Sequence, residues 1–216
     1  MRAEQIQEKL EKMRNIKIQP LLRKSATEEL PYRFRWAYEK IAEHTKRYTE
    51  SKILDVGPGN GYFLFQLHEF GFNNLTAMIN PEEELQKYKD QTQELKEKLS
   101  QKIKIVEHDI TQTPNPESKD IATYDVITAT EVIEHIKDCN AAISNMLMLL
   151  KPGGQLLLTT PIEYNYDVPE HIHHFNLYDI LEMMDKHADD YKVHYIWKDI
   201  VTEKPTIFGI ESYRRG

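Results

Sequence analysis

An apolar run that closes on an acid and then on three alternating glycines limits what this chain can build. Ile53-Leu54-Asp55-Val56-Gly57-Pro58-Gly59-Asn60-Gly61 reads as a strand running into a tight, ligand-facing turn. Glycine there reaches positive φ and lets a ligand approach to a distance that a Cβ would block. Tyr62 to Phe70 then carry helical spacing, so the unit is strand, turn, helix. A dinucleotide loop of the Gly-x-Gly-x-x-Gly type needs its third glycine at position 62, where Tyr62 stands, which argues against a pyrophosphate cradle and a nicotinamide dehydrogenase.

The same alternation continues along the chain. Apolar runs at Ile53–Val56, Leu75–Ile79, Ile103–Val106, Asp125–Ala129, Gln155–Thr159, Val193–Trp197 and Thr206–Ser212 predict seven strands. Most are separated by helical patterns, which predicts an α/β fold with a doubly wound, mostly parallel sheet. No helical pattern lies between the last two, so they are expected to form an antiparallel pair at the sheet edge. Before the sheet, Ile6, Leu10 and Met13 share a face over residues 4–13, and a second helix is expected from Thr27 to Tyr48 with Phe34, Ala37, Tyr38 and Ile41 inward. The expected organisation is an N-terminal helical cap over 1–50 and a ligand-binding domain over 51–216, together one compact unit. A charged helix between Pro81 and Leu99, with Leu85, Tyr88 and Leu95 on one face, reads as a surface element without chemistry. Asn140 to Leu150 reads as a helix stopped by Lys151-Pro152-Gly153-Gly154.

A single cysteine, Cys139, excludes an internal disulfide framework and suits a reducing cytoplasm. No apolar run approaches the roughly 20 residues of a membrane span, so no membrane partner is expected. The net charge of −7 hides an asymmetry, because residues 1–50 hold 12 Lys and Arg against 8 Asp and Glu, or +4. The remainder is acidic, which argues against broad nucleic-acid binding. The sequence is silent on oligomeric state.

With its acid, its glycines and Thr160-Pro161 in the expected strand order, the chain resembles class I S-adenosylmethionine-dependent methyltransferases. The resemblance implies a seven-stranded Rossmann-like methyltransferase sheet with S-adenosyl-L-methionine as cofactor. By that resemblance Asp55, Gly57, Pro58, Gly59, Asn60 and Gly61 hold the methionine side, and Asp109 and Ile110 take the adenine. The backbone around Thr130 and Glu131 lines the methionine tail. Arg33 or Arg35 pairs with the cofactor carboxylate, a bidentate task that suits guanidinium. The family's ribose-binding acid is missing: Met78 takes its place, which leaves Asn80, a weaker neutral acceptor, for the ribose.

Glu131-Val132-Ile133-Glu134-His135 follows the fourth strand, and on a helix Glu131, Glu134 and His135 share one face. Carboxylates with imidazole suit Mg, Mn, Fe or Zn. The pattern resembles ubiquinone-pathway O-methyltransferases and small-RNA 3′-terminal 2′-O-methyltransferases, the second of which hold a metal this way. Alignment on Phe175 puts His173 at the fourth ligand position. A Glu-x-x-Glu-His here is also widespread in relatives without metal, where it caps and shapes the pocket. His135, then His173, is the candidate base for an acceptor hydroxyl, since imidazole accepts a proton near neutral pH.

The expected function is O-methylation of a small-molecule or carbohydrate-like acceptor. The alternatives are a metal-dependent RNA 2′-O-methyltransferase and a non-catalytic partner protein of the same fold, the latter prompted by Met78.

Overall fold

Strands rich in Val, Ile and Leu alternate with amphipathic helices, as the spacing predicts. This computed structural model describes residues 17–19, 30–45, 50–82, 86–114, 121–162, 168–197 and 205–215. The elements run β1 (Lys17–Gln19), α1 (Tyr32–His44), β2 (Lys52–Val56), α2 (Tyr62–Glu69), β3 (Asn74–Ile79), α3 (Gln86–Leu99) and β4 (Lys104–Glu107). They continue with β5 (Tyr124–Thr130), a 3-10 turn (Ile133–His135), α4 (Cys139–Leu149), β6 (Leu150–Pro161), α5 (Leu177–His187), β7 (Tyr191–Trp197) and β8 (Pro205–Tyr213). The candidate helix over 4–13 lies outside the described residues.

One sheet orders the strands β1-β7-β8-β6-β5-β2-β3-β4. β8 runs antiparallel to both β6 and β7, while the other neighbours are parallel. The strand order reverses between β2 and β5, and in such sheets the crevice beyond the strand ends at that point is where ligands sit. Adjacent strand residues face opposite layers. Ile127 and Leu156 join the core under α4 and α5, whereas Val126 and Leu157 join the core under α1, α2 and α3.

Four local expectations change. An eighth strand, β1, adds to the seven, pairing in parallel with β7 from Lys17↔His194 to Gln19↔Ile196. Three residues are too short to show a period in the sequence. The inward stripe of α1 is Trp36, Ala37, Lys40 and Ile41, with Phe34 and Tyr38 half-buried at its flank. The indole decides this rotation, because burying it removes more apolar surface than burying a phenol ring with its hydroxyl. The expected stop at Lys151-Pro152-Gly153-Gly154 is instead the irregular start of β6, where the register with β5 shifts between Tyr124 and Val126. Finally, Glu131–His135 is not an α-helix: Glu131 sits at φ 55, and only Ile133–His135 coil, as a 3-10 turn. Glu131 N donates to Thr159 O at 2.9 Å, which carries the hydrogen bonding between β5 and β6 one residue past the end of β5 before the backbone turns.

Among the described residues no helix is long and apolar enough to cross a membrane.

Candidate active site

The ends of β2, β3, β4 and β5 open into a cleft of about 1010 Å³ lined by Gly57, Pro58, Gly59, Asn60, Asn80, Asp109, Ile110, Thr130 and Glu131. The glycine turn takes its shape from three positive φ values, 64° at Gly57, 56° at Gly59 and 79° at Gly61. Gly57 N donates to Met78 O at 3.0 Å, tying the turn to the neighbouring strand. Gly61 lies behind the lining, where a Cβ would stand 2.6 Å from Leu99 Cδ1. Its part is to let α2 pack against α3.

Asp55 is also behind the lining. It is 1% exposed and accepts a 2.6 Å hydrogen bond from Thr128 Oγ1 on β5. Burial, against that hydrogen bond, raises its carboxyl to about 7. The folded-state pKa therefore lies above the ordinary value of 3.8, and the folded chain binds the extra proton between those values. Stability from this group falls as pH rises from 3.8 toward 7, and the cost is complete above 7. Asp55→Asn removes that cost. Its Tm advantage over the wild type is expected to be at least about 5 °C larger at pH 8 than at pH 4, read by thermal melts.

Asp109 Oδ1, the expected adenine acceptor, accepts from Thr111 N at 2.9 Å and from Thr111 Oγ1 at 2.8 Å. A carboxylate has about four lone-pair positions, so capacity for a further donor remains. Ile110 is buried at the cleft wall. Met78 lines the cleft, and Asn80 Oδ1, the expected ribose acceptor, already accepts from Glu82 N at 3.0 Å.

Arg33, not Arg35, enters the cleft. Its Nε lies 3.5 Å from Glu131 Oε2, while the Arg35 guanidinium stands over the Tyr32 ring outside the lining. Two positions apart on a helix, the two arginines are separated by about 200°, so only one of them can follow the stripe of Trp36 and Ala37. Phe34 beside it stacks on Phe63, with ring centres 4.9 Å apart.

The 3-10 turn forms the other end of the cleft. Glu134 is 1% exposed; its Oε2 accepts from Thr160 Oγ1 at 3.1 Å, and its Oε1 has no hydrogen-bond partner among the described residues. Burial, with Glu131 adding to it, pushes the carboxyl up to about 8. His135 Nδ1 donates to Glu170 O at 2.9 Å, so Nε2 carries the lone pair. Burial draws the His135 pKa below its ordinary value, against the bond to Glu170. The loop after β6 folds over this turn, because Ile172 N and His173 N both donate to Glu134 O. It delivers His171, whose ring centre is 4.8 Å from that of His135. Ligand atoms of Glu134, His135 and His171 all lie within 4.8 Å of one another.

His173 stands apart. Its Nε2 donates to Ile136 O at 3.0 Å and its ring stacks on Phe175, beside a shallow hollow of about 340 Å³. Side chains two residues apart on an extended loop face the same way only if the backbone stays extended, and here both N–H groups at 172 and 173 turn onto one carbonyl. Glu131 instead pairs with Arg33. The group that forms is therefore Glu134, His135 and His171, rather than Glu131, Glu134, His135 and His173.

Helix α3, read from sequence as plain surface, supplies Lys87, Tyr88, Gln91 and Thr92 to the lining. The Tyr88 ring stands edge-on to His135 at 5.7 Å, and Lys87 Nζ reaches Glu170 Oε1 at 3.7 Å. An aromatic residue on an otherwise charged helix was the available signal.

Comparison with known proteins gives the family and the fold. The family model described as "Methyltransferase domain" matches residues 26–196. A ubiquinone biosynthesis O-methyltransferase of Rickettsia canadensis is 31% identical over 130 residues, 60% of this chain and 51% of that protein. A tRNA U34 carboxymethyltransferase of Idiomarina loihiensis is 24% identical over 129 residues, 60% of this chain and 38% of that protein. The match thus spans about half the length of such relatives or less. In fold, an S-adenosylmethionine-dependent methyltransferase from Aquifex aeolicus superposes with TM-score 0.60 at 15% identity, covering 82% of this chain and 88% of that one.

Proposed function

The chain belongs to the methyltransferase domain family, and from that premise we propose that it moves a methyl group from S-adenosyl-L-methionine to an oxygen of a small-molecule or carbohydrate-like acceptor. The observation that carries the reading is His135, whose Nδ1 is committed to Glu170 O and whose Nε2 lone pair belongs to a ring that lines the cleft. The cleft suits the cofactor, with a glycine turn that leaves room for the methionine moiety, an arginine beside it and an apolar wall at Ile110. When bound, S-adenosylmethionine would supply a methyl on a sulfonium, whose methyl–sulfur bond breaks in an in-line displacement so that the sulfur leaves as a neutral thioether. An acceptor hydroxyl placed against His135 gives its proton to Nε2 as its oxygen takes the methyl, which balances the step. Tyr88 and His171 hold the acceptor's flank, and Lys87 with Glu170 closes the side of the cleft. Water exclusion and alignment are the protein's main contribution to such a displacement.

A second reading adds a divalent metal, favoured by one observation: Glu134 Oε1 is buried, has no hydrogen-bond partner among the described residues and belongs to the same cluster as His135 and His171. One carboxylate and two imidazoles suit Fe, Mn or Zn, and the Nδ1–H bond to Glu170 O is the usual orienting contact of a ligating histidine. A metal held there would acidify an acceptor hydroxyl, as in the RNA 2′-O-methyl alternative.

The test is a panel of phenols, sugars and short RNAs with radiolabelled cofactor, run on metal-stripped protein in chelator and with Mg, Mn or Zn restored. Methylation of a small hydroxyl compound in chelator supports the first reading. Methylation only of RNA, and only with metal, replaces it with the second.

A further inference from the structure

Outside the cleft, a cluster of buried charge lies between α1 and the β7–β8 pair. Glu211 on β8 is 3% exposed, and its carboxylate meets Lys192 Nζ at 3.0 Å, His194 Nε2 at 3.3 Å and Lys40 Nζ at 3.5 Å. Burial pushes the Glu211 carboxyl up, but His194, Lys192 and Lys40 together outweigh it and hold it at about 2. Lys40 is itself 8% exposed, also donates to Glu43 Oε2 at 2.8 Å on its own helix, and comes from α1, the helix that carries Arg33 and Phe34 into the cleft. Seven residues separate Arg33 from Lys40, two turns of helix, so both lie on one stripe about 10.5 Å apart along the axis. Trp36, Ala37 and Ile41 fill the stripe between and beside them. The Trp36 indole reaches the sheet over Gly209, where a Cβ would stand 2.8 Å from Trp36 Cε2.

We propose that Lys40 and Glu211 are positioning residues of the cofactor cleft: their buried ion pair, with the Arg33–Glu131 contact two turns away, sets how α1 is rotated and slid over the sheet. Apolar contact alone holds a helix down without fixing its register, because the attraction scales with area and has no direction. A buried ion pair has a direction, and Lys40–Glu211 is the charged contact that joins α1 to β8, since Glu43 lies on α1 itself and Lys192 and His194 lie on β7, so it selects one register from several that the apolar stripe tolerates. α1 is thereby pinned at both ends of one stripe, to β5 through Glu131 and to β8 through Glu211. Shifting the second pin moves Arg33 off the methionine end of the cleft. Lys192 also holds Glu211, but it does so from β7 rather than from α1, so it serves as the control.

The inference rests on the cleft's being the cofactor's. Calorimetry of the full chain with S-adenosylhomocysteine tests it, comparing the wild type with Lys40→Met, Lys40→Arg, Glu211→Gln, Lys192→Met, Arg33→Met and the Arg33→Met/Lys40→Met pair. Lys40→Met and Glu211→Gln are expected to weaken binding about tenfold, Lys40→Arg to recover to within about threefold, and Lys192→Met to bind as the wild type does. In the Arg33→Met background, Lys40→Met should add nothing, since the moved residue is already gone. If Glu211→Gln does not fold, the Lys40 pair carries the test. Wild-type affinity in Lys40→Met, equal losses in Lys40→Met and Lys192→Met, or additive losses with Arg33→Met would each overturn the proposal. A wild type that does not bind at all would remove the cleft assignment first, and this inference with it.

Discussion

An alanine at Gly57 will lower the affinity for S-adenosylhomocysteine by about 100-fold or more, the equivalent of roughly 2.7 kcal/mol. Gly57 is held at φ 64 by its N–H bond to Met78 O, and a Cβ would lie 2.8 Å from Val132 Cγ2. A left-handed alanine costs about 1–2 kcal/mol, and crowding a packed side chain costs about 1–3 kcal/mol. In the free protein the turn can relax to escape both. Binding requires it to return, because Gly57, Val132 and Glu131 line one wall of the cleft, so the relaxation appears as lost affinity. Gly153→Ala is the control: it shares the left-handed backbone at φ 78, but its Cβ would meet nothing within 4 Å and it stands away from the cleft. Calorimetry should find binding by Gly153→Ala and none, or nearly none, by Gly57→Ala. Equal affinities would mean that the cofactor does not sit on this turn.

The second large effect falls on turnover. His135→Asn should reduce kcat about 10²- to 10⁴-fold, the usual contribution of a positioned base, while leaving S-adenosylhomocysteine affinity within about threefold. Asparagine preserves a donor toward Glu170 O and removes the base. The pH profile carries a sign as well. His135 is drawn below its ordinary value mainly by burial, and a base is active only when unprotonated. Rate is therefore lost as pH falls through that lowered value, so the wild type keeps most of its activity at pH 6.5, where an ordinary imidazole is half protonated. His173→Asn is expected to keep most of its activity, since Nε2 there is bonded to Ile136 O outside the cleft. A His135→Asn enzyme with wild-type kcat would assign the base elsewhere, with His171 next in position.

Periodicity and turn chemistry made much of this legible in advance. The glycine turn, the strands and the helices between them are local properties: each depends on residues close to one another in the chain. Arg33 against Arg35, His171 against His173 and the role of α3 are different in kind. Arg33 is selected because Trp36 must pack over Gly209, which is 173 positions downstream. His171 is selected because the loop after β6 hangs two N–H groups on Glu134 O. No window of sequence contains both partners of either contact.

By itself, then, the sequence determined the class of sheet and the glycine turn that follows its first long strand, since those follow from short-range backbone preference and the period of apolar residues. Only the tertiary structure decided which of two arginines two positions apart, and which of two nearby histidines, faces the cleft. A side chain's direction depends on how one element rotates against another, and that rotation is set by packing volumes and buried charge contacts such as Trp36 on Gly209 and Lys40 on Glu211.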